Sequence, residues 1–345
     1  MGKTAAIYNP YLDTLGGGER YTLSFAQVLL EEGYSVDIEW RDKEIMPKLI
    51  SRFGLKHNLG IKIVDSVNRG ENYDLIFYVS DGSIPTLRSS HNYLHFQVPF
   101  KDVGGKSLLN RMKLYRINKI ICNSNFTKKV VDKEFGVDSL VLYPPIDTHS
   151  FKVMRKENII LYVGRFSNLL QSKGQDFLVE SFKKMHDLGV TDWRMVLAGG
   201  VEIGSDKMLM KLKSLVDGYP IEIVESPTFD NLKTLYGKSK IFWSASGIGV
   251  DELVEPKKVE HFGMTVVESM SAGNVPVVLN VGGHREIVED GVDGILWNTQ
   301  EELISKTINL INKKGEVKKM SSQAILKSDK YSIDKFKEEI LQILN

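Results

Sequence analysis

Two carboxylates and three backbone amides lie within residues 260–268, in a spacing that suits a phosphorylated sugar. Glu260 precedes a glycine-containing turn, and Glu268 lies about two turns inside the helix predicted by the apolar spacing that follows. The first N–H groups of such a helix, from Gly263, Met264 and Thr265, would be unpaired donors for a phosphate. The two carboxylates would accept hydrogen bonds from sugar and ribose hydroxyls. An amphipathic helix with a Glu complementing its macrodipole is the alternative.

Two cations occupy positions that suit a diphosphate. Arg165 stands at the carboxyl end of a predicted strand at residues 158–164, and Lys173 immediately precedes Gly174 at the start of a predicted helix. Cations at a strand end and a helix start can hold a diphosphate and the negative charge that develops on it. Solvated surface charges are the alternative interpretation.

A run of three glycines, Gly16 to Gly18, follows the first predicted strand at residues 5–8 and precedes a helical pattern. Gly17 and Gly18 would let the backbone approach a ligand closely. The spacing is not G-x-G-x-x-G, and Asp37 is the only acid near the ribose position of a dinucleotide fold, so a nicotinamide site is weakly indicated. A plain turn is the alternative.

His95 ends a further predicted strand, at residues 93–96. In an open α/β sheet, ligands bind beyond the carboxyl ends of the strands, so His95 is better placed than an arbitrary histidine to meet one. A structural histidine is the alternative.

The elements that must position these residues form two α/β series. Strand and helix patterns alternate in each half, which predicts two doubly wound domains. The Pro-containing run at residues 143–147 breaks regular structure between them. We expect an N-terminal domain over residues 1–150, a second domain over 151–330, and a C-terminal helix over 331–345 whose apolar stripe packs back on the first domain.

The bulk composition is that of a globular protein. The chain has 345 residues, 42% of them hydrophobic and 26% charged, with a net charge of +1. These values do not indicate disorder, and the net charge does not indicate an overall positive potential that would attract nucleic acid. Its single cysteine, Cys122, excludes an internal disulfide and favours a reducing, cytoplasmic compartment. We expect Cys122 to be a small buried hydrophobe, and the N-terminus has no signal-peptide pattern.

The segment at residues 106–116 mixes basic and apolar residues at helical spacing. The preferred interpretation is an ordinary surface helix whose apolar face enters the core. The alternative is a helix in peripheral contact with an anionic membrane or near a lipid-linked acceptor.

Together, these residues resemble the retaining glycosyltransferases of family 4, which have the GT-B fold of two Rossmann-like domains facing across a cleft. The resemblance covers almost the whole chain. It is carried by five motifs, at residues 16–20, 163–166 with Ser172-Lys173-Gly174, 260–268, 276–278 and 282–288.

The resemblance implies a site for a sugar nucleotide, which is a substrate and not a cofactor. Arg165 and Lys173 would bind the diphosphate, Glu268 the ribose, and Glu260 the donor sugar. The amides of Gly263, Met264, Thr265, Gly17 and Gly18 would also contact the diphosphate. His95 would lie beside the donor sugar, and His95 and Glu260 would be the catalytic residues.

The resemblance also implies retention of configuration, with the departing phosphate taking the acceptor's proton. No D-x-D motif is present, and the nearest likeness, at residues 37–39, falls within a predicted strand, so we expect no metal. Cations and helix dipoles would neutralise the leaving diphosphate instead.

The closest motifs are those of mannosyltransferases of lipid-linked oligosaccharide assembly. Asn9 and Ser244 depart from positions where such relatives often carry His. The resulting hypothesis is a hexosyltransferase that uses a UDP- or GDP-sugar and a hydroxyl acceptor, in glycan, glycolipid or polysaccharide synthesis. The alternatives are a sugar-nucleotide epimerase or phosphorylase of the same fold, or a non-catalytic sugar-nucleotide-binding subunit.

Overall fold

The computed structural model describes residues 2–14, 16–53, 60–167, 173–202 and 204–344, with backbone alone at 51–53. Ser172, part of one motif above, lies outside the described residues. The chain divides into two compact units. Unit 1 is Met1–Pro145 with Asp334–Asn345, and unit 2 is Ile146–Ile333.

Unit 1 is built on a parallel sheet, which among the described residues has seven strands in the order β3-β2-β1-β4-β5-β6-β7. The strands are β1 Thr4–Tyr8, β2 Ser35–Glu39, β3 Ile61–Val64, β4 Leu75–Val79, β5 His91–Phe96, β6 Lys119–Cys122 and β7 Leu140–Val141. The helices are α1 Gly17–Glu31, α2 Ile45–Phe53, α3 Leu108–Leu114, α4 Asn125–Phe135 and the last helix of the chain, α12 Ile333–Leu344.

Unit 2 repeats this plan with six described strands in the order β10-β9-β8-β11-β12-β13, all parallel. The strands are β8 Glu157–Val163, β9 Arg194–Gly199, β10 Ile221–Glu225, β11 Ser239–Ser244, β12 Val275–Leu279 and β13 Ile295–Trp297. The helices are α5 Gln175–Asp187, α6 Asp206–Leu215, α7 Phe229–Lys238, α8 Met264–Ser271, α9 His284–Ile287, α10 Gln300–Asn312 and α11 Lys314–Ser328. Short 3₁₀ turns lie at Asn68–Gly70, Thr148–Ser150, Pro256–Lys258 and Asp329–Tyr331.

Both sheets have the doubly wound strand order, in which the chain reverses direction across the sheet between the first and fourth strands of the unit. The central strands are near-continuous apolar runs, as expected for strands of a parallel sheet that are buried on both faces. The strand β12, with the sequence VPVVL, is buried along its whole length. The carboxyl ends of β8 and β11 therefore flank the switch point of unit 2, where a crevice for ligands forms in such sheets.

The last helix, α12, belongs to the core of unit 1. Phe336 and Ile340 are buried in it, and the Phe336 ring meets the Tyr21 ring edge-on at a centroid distance of 5.1 Å. The Tyr93 hydroxyl donates to the Ile343 carbonyl at 3.1 Å. Apolar burial and a side chain to backbone hydrogen bond thus join the end of the chain to β5 and α1.

The predicted burial of the apolar face of the segment at residues 106–116 is wrong. Within it α3 has no buried residue, and Leu108 and Tyr115 are 77% and 93% exposed. Towards the unit, Lys113 Nζ donates to the Ile84 carbonyl at 2.8 Å, and Leu114 alone of the apolar side chains of α3 packs against a core cluster. Cys122, by contrast, is fully buried as expected.

Among the described residues, none of the helices combines the length and the apolar character needed to cross a bilayer.

Candidate functional site

The N-terminus of α8 is formed by a glycine whose backbone other residues rarely adopt. Gly263 has φ 113°, and a Cβ there would lie 3.2 Å from Ile287 Cδ1. The helix begins at Met264, and the first-turn N–H groups of Gly263, Met264 and Thr265 have no acceptor within the helix. The sequence predicted this helix start to within a few residues, and its amides suit an anion.

Lys173 and Glu260 form an ion pair beside this helix start. Lys173 Nζ lies 3.0 Å from Glu260 Oε2 and 3.2 Å from Ser246 Oγ. Both side chains are about one-fifth exposed, at 19% and 21%. Burial disfavours a charged carboxylate, but the Lys173 ammonium outweighs it and lowers the pKa of Glu260 to about 2. Glu260 is therefore an anionic hydrogen-bond acceptor at neutral pH and not a proton donor.

A neighbouring loop holds the Glu260 segment in place. The Gly283 N–H donates to the Glu260 carbonyl at 2.8 Å, and the Gly282 N–H donates to Glu252 Oε2 at 2.8 Å. A Cβ on Gly282 would lie 2.2 Å from the Glu260 carbonyl oxygen, so the two backbones meet as closely as glycine permits. The glycine pair of the motif at residues 282–288 is thus a packing requirement of this site.

Arg165 leaves the carboxyl end of β8 and is tied to the start of α5. Its carbonyl accepts a hydrogen bond from Gln175 Nε2 at 2.9 Å, and its guanidinium lies 3.4 Å from Glu202 Oε1. The side chain is 45% exposed, which leaves it accessible to a ligand. Because only Gly174 separates Lys173 from α5, the Gln175 contact places both cations on adjoining segments at the switch point of unit 2.

Glu268 lies on α8 and is oriented by a tyrosine from α7. The Tyr236 hydroxyl donates to Glu268 Oε2 at 2.9 Å, and the carboxylate belongs to a partly exposed residue. One carboxylate oxygen is thereby fixed, as a hydroxyl-binding residue requires.

The sequence did not predict a buried pair behind this site, Ser244 and His284. His284 Nδ1 lies 2.9 Å from the Leu279 carbonyl and can only donate to it, so Nε2 accepts from the Ser244 hydroxyl at 3.2 Å. Burial lowers the pKa of His284 and keeps the ring neutral. In the sequence, Ser244 stands out only as a departure from the family. The two residues are 40 positions apart, and no local pattern could have joined them.

In unit 1 the structure brings Gly17 and Gly18 against the end of β5. The helix α1 begins at Gly17, and a Cβ on Gly18 would lie 2.1 Å from Gln97 Oε1. Gln97 Nε2 in turn donates to the Gly18 carbonyl at 3.1 Å. The preceding loop is shaped by Asn9, which is 1% exposed and whose Oδ1 accepts from the Tyr11 N–H at 2.9 Å.

His95 lies next to this contact and is wholly buried. Its ring stacks on Tyr21 with centroids 4.3 Å apart, and Nδ1 lies 3.1 Å from the Ile121 carbonyl. Burial lowers the pKa of His95 to about 3, so the ring is neutral at physiological pH. Nε2 has no hydrogen-bond partner among the residues that the structure describes.

The residues predicted from sequence thus form two groups, one in each unit. Unit 2 gathers the cations, the two carboxylates and the α8 amides, and unit 1 gathers the glycine turn and His95. In the described part of the chain, no cluster of three or more His, Cys, Asp or Glu side chains is arranged to hold a metal ion.

The segment of the chain that matches a known protein family nearly coincides with unit 2. The sequence pattern of the family described as glycosyl transferases group 1 matches residues 146–327. The chain belongs to the group 1 glycosyl transferases. Every unit 2 residue of the candidate site falls inside the matched segment.

Relatives of the family are found in archaea and eukaryotes. The chain is 28% identical over 223 residues to an uncharacterized glycosyltransferase of Methanocaldococcus jannaschii, covering 63% of this chain and 56% of that protein. It is 25% identical over 283 residues to a GDP-Man:Man(3)GlcNAc(2)-PP-Dol alpha-1,2-mannosyltransferase of Dictyostelium discoideum, covering 77% and 52%. The chain thus spans about half the length of these curated relatives.

Solved structures share the fold over the whole chain. The structure of Anabaena HepE in complex with UDP superposes with a TM-score of 0.80 at 16% identity, covering 99% of each chain. The two parallel α/β Rossmann-like domains of the GT-B fold, expected from the sequence, are thereby confirmed.

Proposed function

We propose that this group 1 glycosyl transferase is a retaining hexosyltransferase of family 4. It moves a hexose from a UDP- or GDP-sugar to a hydroxyl acceptor on a glycan or lipid-linked molecule, in glycan, glycolipid or polysaccharide synthesis. Residues 151–330 bind the donor, residues 1–150 bind the acceptor, and the helix within 331–345 completes the acceptor domain.

The observation that carries this proposal is the Lys173–Glu260 pair beside the N-terminus of α8. Lys173 presents a cation, and the amides of Gly263, Met264 and Thr265 present donors, so one surface can hold the diphosphate of a sugar nucleotide. The ionised Glu260 accepts hydrogen bonds from donor-sugar hydroxyls. Such groups stabilise the leaving diphosphate in the transition state more than the bound substrate.

We assign the remaining roles from the family resemblance. Arg165 adds a second cation for the diphosphate, and Glu268, held by Tyr236, accepts from the ribose hydroxyls. Gly17 and Gly18 lend backbone amides to the diphosphate, and His95 lies near the donor sugar as a neutral ring. As the family resemblance implies, the departing phosphate accepts the acceptor's proton, and the lowered pKa values of His95 and Glu260 are consistent with neither residue acting as a strong base.

Charge on the leaving group is neutralised by Lys173, Arg165 and the α8 dipole, and no divalent ion takes part. UDP- and GDP-sugars are both candidate donors, because a relative is named for GDP-mannose as donor and a solved neighbour is a UDP complex.

The test uses water as the acceptor, because the natural one is unidentified. The full chain is incubated in EDTA with UDP-glucose or GDP-mannose, and proton NMR identifies the first-formed anomer of the released sugar. We expect slow release of the α-anomer from one donor in EDTA, and a loss of about tenfold or more in Glu260→Gln. The exposed Lys318→Ala variant, in the same unit, should release sugar at the wild-type rate.

Other products would contradict the proposal. Release of the β-anomer first would overturn retention, and release that requires added magnesium would overturn metal independence. A changed hexose at C2 would identify an epimerase, and release that requires inorganic phosphate would identify a phosphorylase. Tight nucleotide binding without any turnover would favour a non-catalytic binding subunit.

A further inference from the structure

The helix α3 presents its apolar residues to solvent. Leu108, Leu109, Met112 and Tyr115 are 77%, 62%, 65% and 93% exposed, and together they form what we call the α3 surface. Counted at about 100° per residue, the four positions fall on one side of the helix. Large apolar side chains grouped in this way are rare on a soluble surface without a partner.

The opposite side of α3 faces unit 1 through polar groups. Asn110 Nδ2 donates to the Gly104 carbonyl at 3.1 Å, and Lys113 Nζ donates to the Ile84 carbonyl at 2.8 Å. Only Leu114 packs against the neighbouring apolar cluster. The helix is therefore inverted relative to an ordinary surface helix, because its long apolar side chains point away from the core.

Several hydrogen bonds hold α3 in this orientation. The Ser107 hydroxyl caps the helix by accepting from the Asn110 N–H at 3.3 Å. The Glu134 carboxylate, on α4, accepts from the N–H groups of Val103 and Gly105 at 3.0 and 2.9 Å. The apolar side chains are thus exposed on a helix that hydrogen bonds hold in place.

All the charged residues in the surrounding sequence are basic. Between residues 103 and 131 there is no Asp or Glu, in a chain whose net charge is only +1. Its cations are Lys106, Arg111, Lys113, Arg116, Lys119, Lys128 and Lys129. By the same 100° count, the exposed Arg111 lies at one edge of the α3 surface, and the exposed Arg116 follows Tyr115 just beyond the end of the helix.

We propose that the α3 surface docks on an anionic lipid bilayer. Leu108, Leu109 and Met112 enter the boundary between headgroups and acyl chains, Tyr115 lies at the interface, and the two arginines pair with lipid phosphates. A membrane is favoured over a protein because the exposed charged side chains of residues 106–116 are all basic, which complements a uniformly anionic surface. The inference does not depend on the nucleotide site.

The test measures cosedimentation of the full chain with vesicles. One set is phosphatidylcholine alone, and the other contains about 30% phosphatidylglycerol. We expect binding to the anionic vesicles only, weakened about tenfold in Leu109→Ser/Met112→Ser and in Arg111→Gln/Arg116→Gln. The arginine variant should also lose most of its sensitivity to salt. Leu326→Ser is the matched control, because Leu326 is 65% exposed on α11 in the other unit.

A second readout locates the contact. In Tyr115→Trp, emission should shift to the blue with anionic vesicles and be quenched by brominated acyl chains. Binding that is equal in the α3 variants, the Leu326→Ser control and the wild type would overturn the proposal. So would self-association that the α3 substitutions abolish while vesicle binding is absent, because the surface would then contact a second copy. Since all substituted side chains are exposed, unchanged thermal unfolding is expected throughout.

Discussion

At the scale of single residues, the backbone at Gly263 decides where the α8 amides point. Its φ of 113° is strained for any other residue, and a Cβ would also press on Ile287. We expect Gly263→Ala to lower the free energy of unfolding by about 1–3 kcal/mol and to weaken nucleotide binding. Gly315→Ala is the control, because a Cβ at Gly315 meets nothing within 4 Å. Equal stability of the two variants in urea unfolding would contradict this account.

His95 should make stability depend on acidic pH. Burial lowers its pKa to about 3, whereas an unfolded histidine titrates near 6.5. The unfolded chain therefore binds a proton that the folded chain does not. From this group alone, the unfolding free energy should fall as pH drops from about 6.5 to about 3, by at most about 1.4 kcal/mol per unit.

The His95→Asn variant can still donate to the Ile121 carbonyl, and it should have a flatter pH profile than the wild type in this window. The exposed His91→Asn variant serves as control. Urea unfolding between pH 4 and pH 7 measures the difference. A profile for His95→Asn that runs parallel to the wild type would show that His95 is accessible to protons in the folded state.

Much of the candidate site was predictable at this scale from sequence. Glu260, Glu268 and both cations were named from local spacing, and the structure places all four in unit 2, whereas the glycine turn lies in unit 1. The Ser244–His284 contact could not be read, because it joins the end of β11 to α9 through space. The full burial of His95 was not predicted from the sequence either, because it depends on the packing of α1 over β5.

At the scale of elements, Lys156 joins three segments of unit 2. Its Nζ donates to the Ser239 carbonyl at 2.7 Å, the Ala272 carbonyl at 2.6 Å and Asn274 Oδ1 at 2.8 Å. These contacts hold the starts of β8, β11 and β12 together at the edge opposite the candidate site. We expect Lys156→Met to lower the unfolding free energy by about 2–4 kcal/mol, because several buried acceptors lose their hydrogen-bond donor.

Calorimetric unfolding of Lys156→Met against Lys318→Met measures this effect, since Lys318 is exposed on α11. A midpoint equal to that of the control would contradict the role of Lys156.

The sequence located the strands that are buried on both faces, but it did not predict which face of a helix is buried. The strands β1 and β8 are apolar runs that the sequence located to within one residue at each end. For α3 the helical pattern was correct, but its orientation was wrong. Periodicity shows that one face is apolar and does not show whether that face meets the core or a partner.

At the scale of the whole molecule, the helix α12 packs in the core of unit 1. We expect Phe336→Ala to destabilise unit 1 by about 3–5 kcal/mol, because the ring is 2% exposed and contacts Tyr21. Lys335→Ala, at an exposed position of α12, should have little effect. Hydrogen exchange should show the loss of protection in β1 and β5. Loss confined to unit 2 would contradict the assignment of α12.

The fold class was predictable from alternating strand and helix patterns, as the two doubly wound sheets confirm. The strand orders could not be read from the sequence, because neighbours such as β1 and β4 are separated by two intervening strands. Only the crossover connections of the folded chain bring them together.

The most direct test of the account is calorimetric titration of UDP and GDP into the wild type, Lys173→Gln and the exposed control Lys318→Gln. The account predicts that one diphosphate binds and that its free nucleoside does not. It also predicts that Lys173→Gln weakens binding about ten- to a hundredfold, the contribution of a charge-assisted hydrogen bond, while the control binds like the wild type. Wild-type affinity in a folded Lys173→Gln variant would contradict the assignment of the diphosphate to the Lys173–Glu260 site.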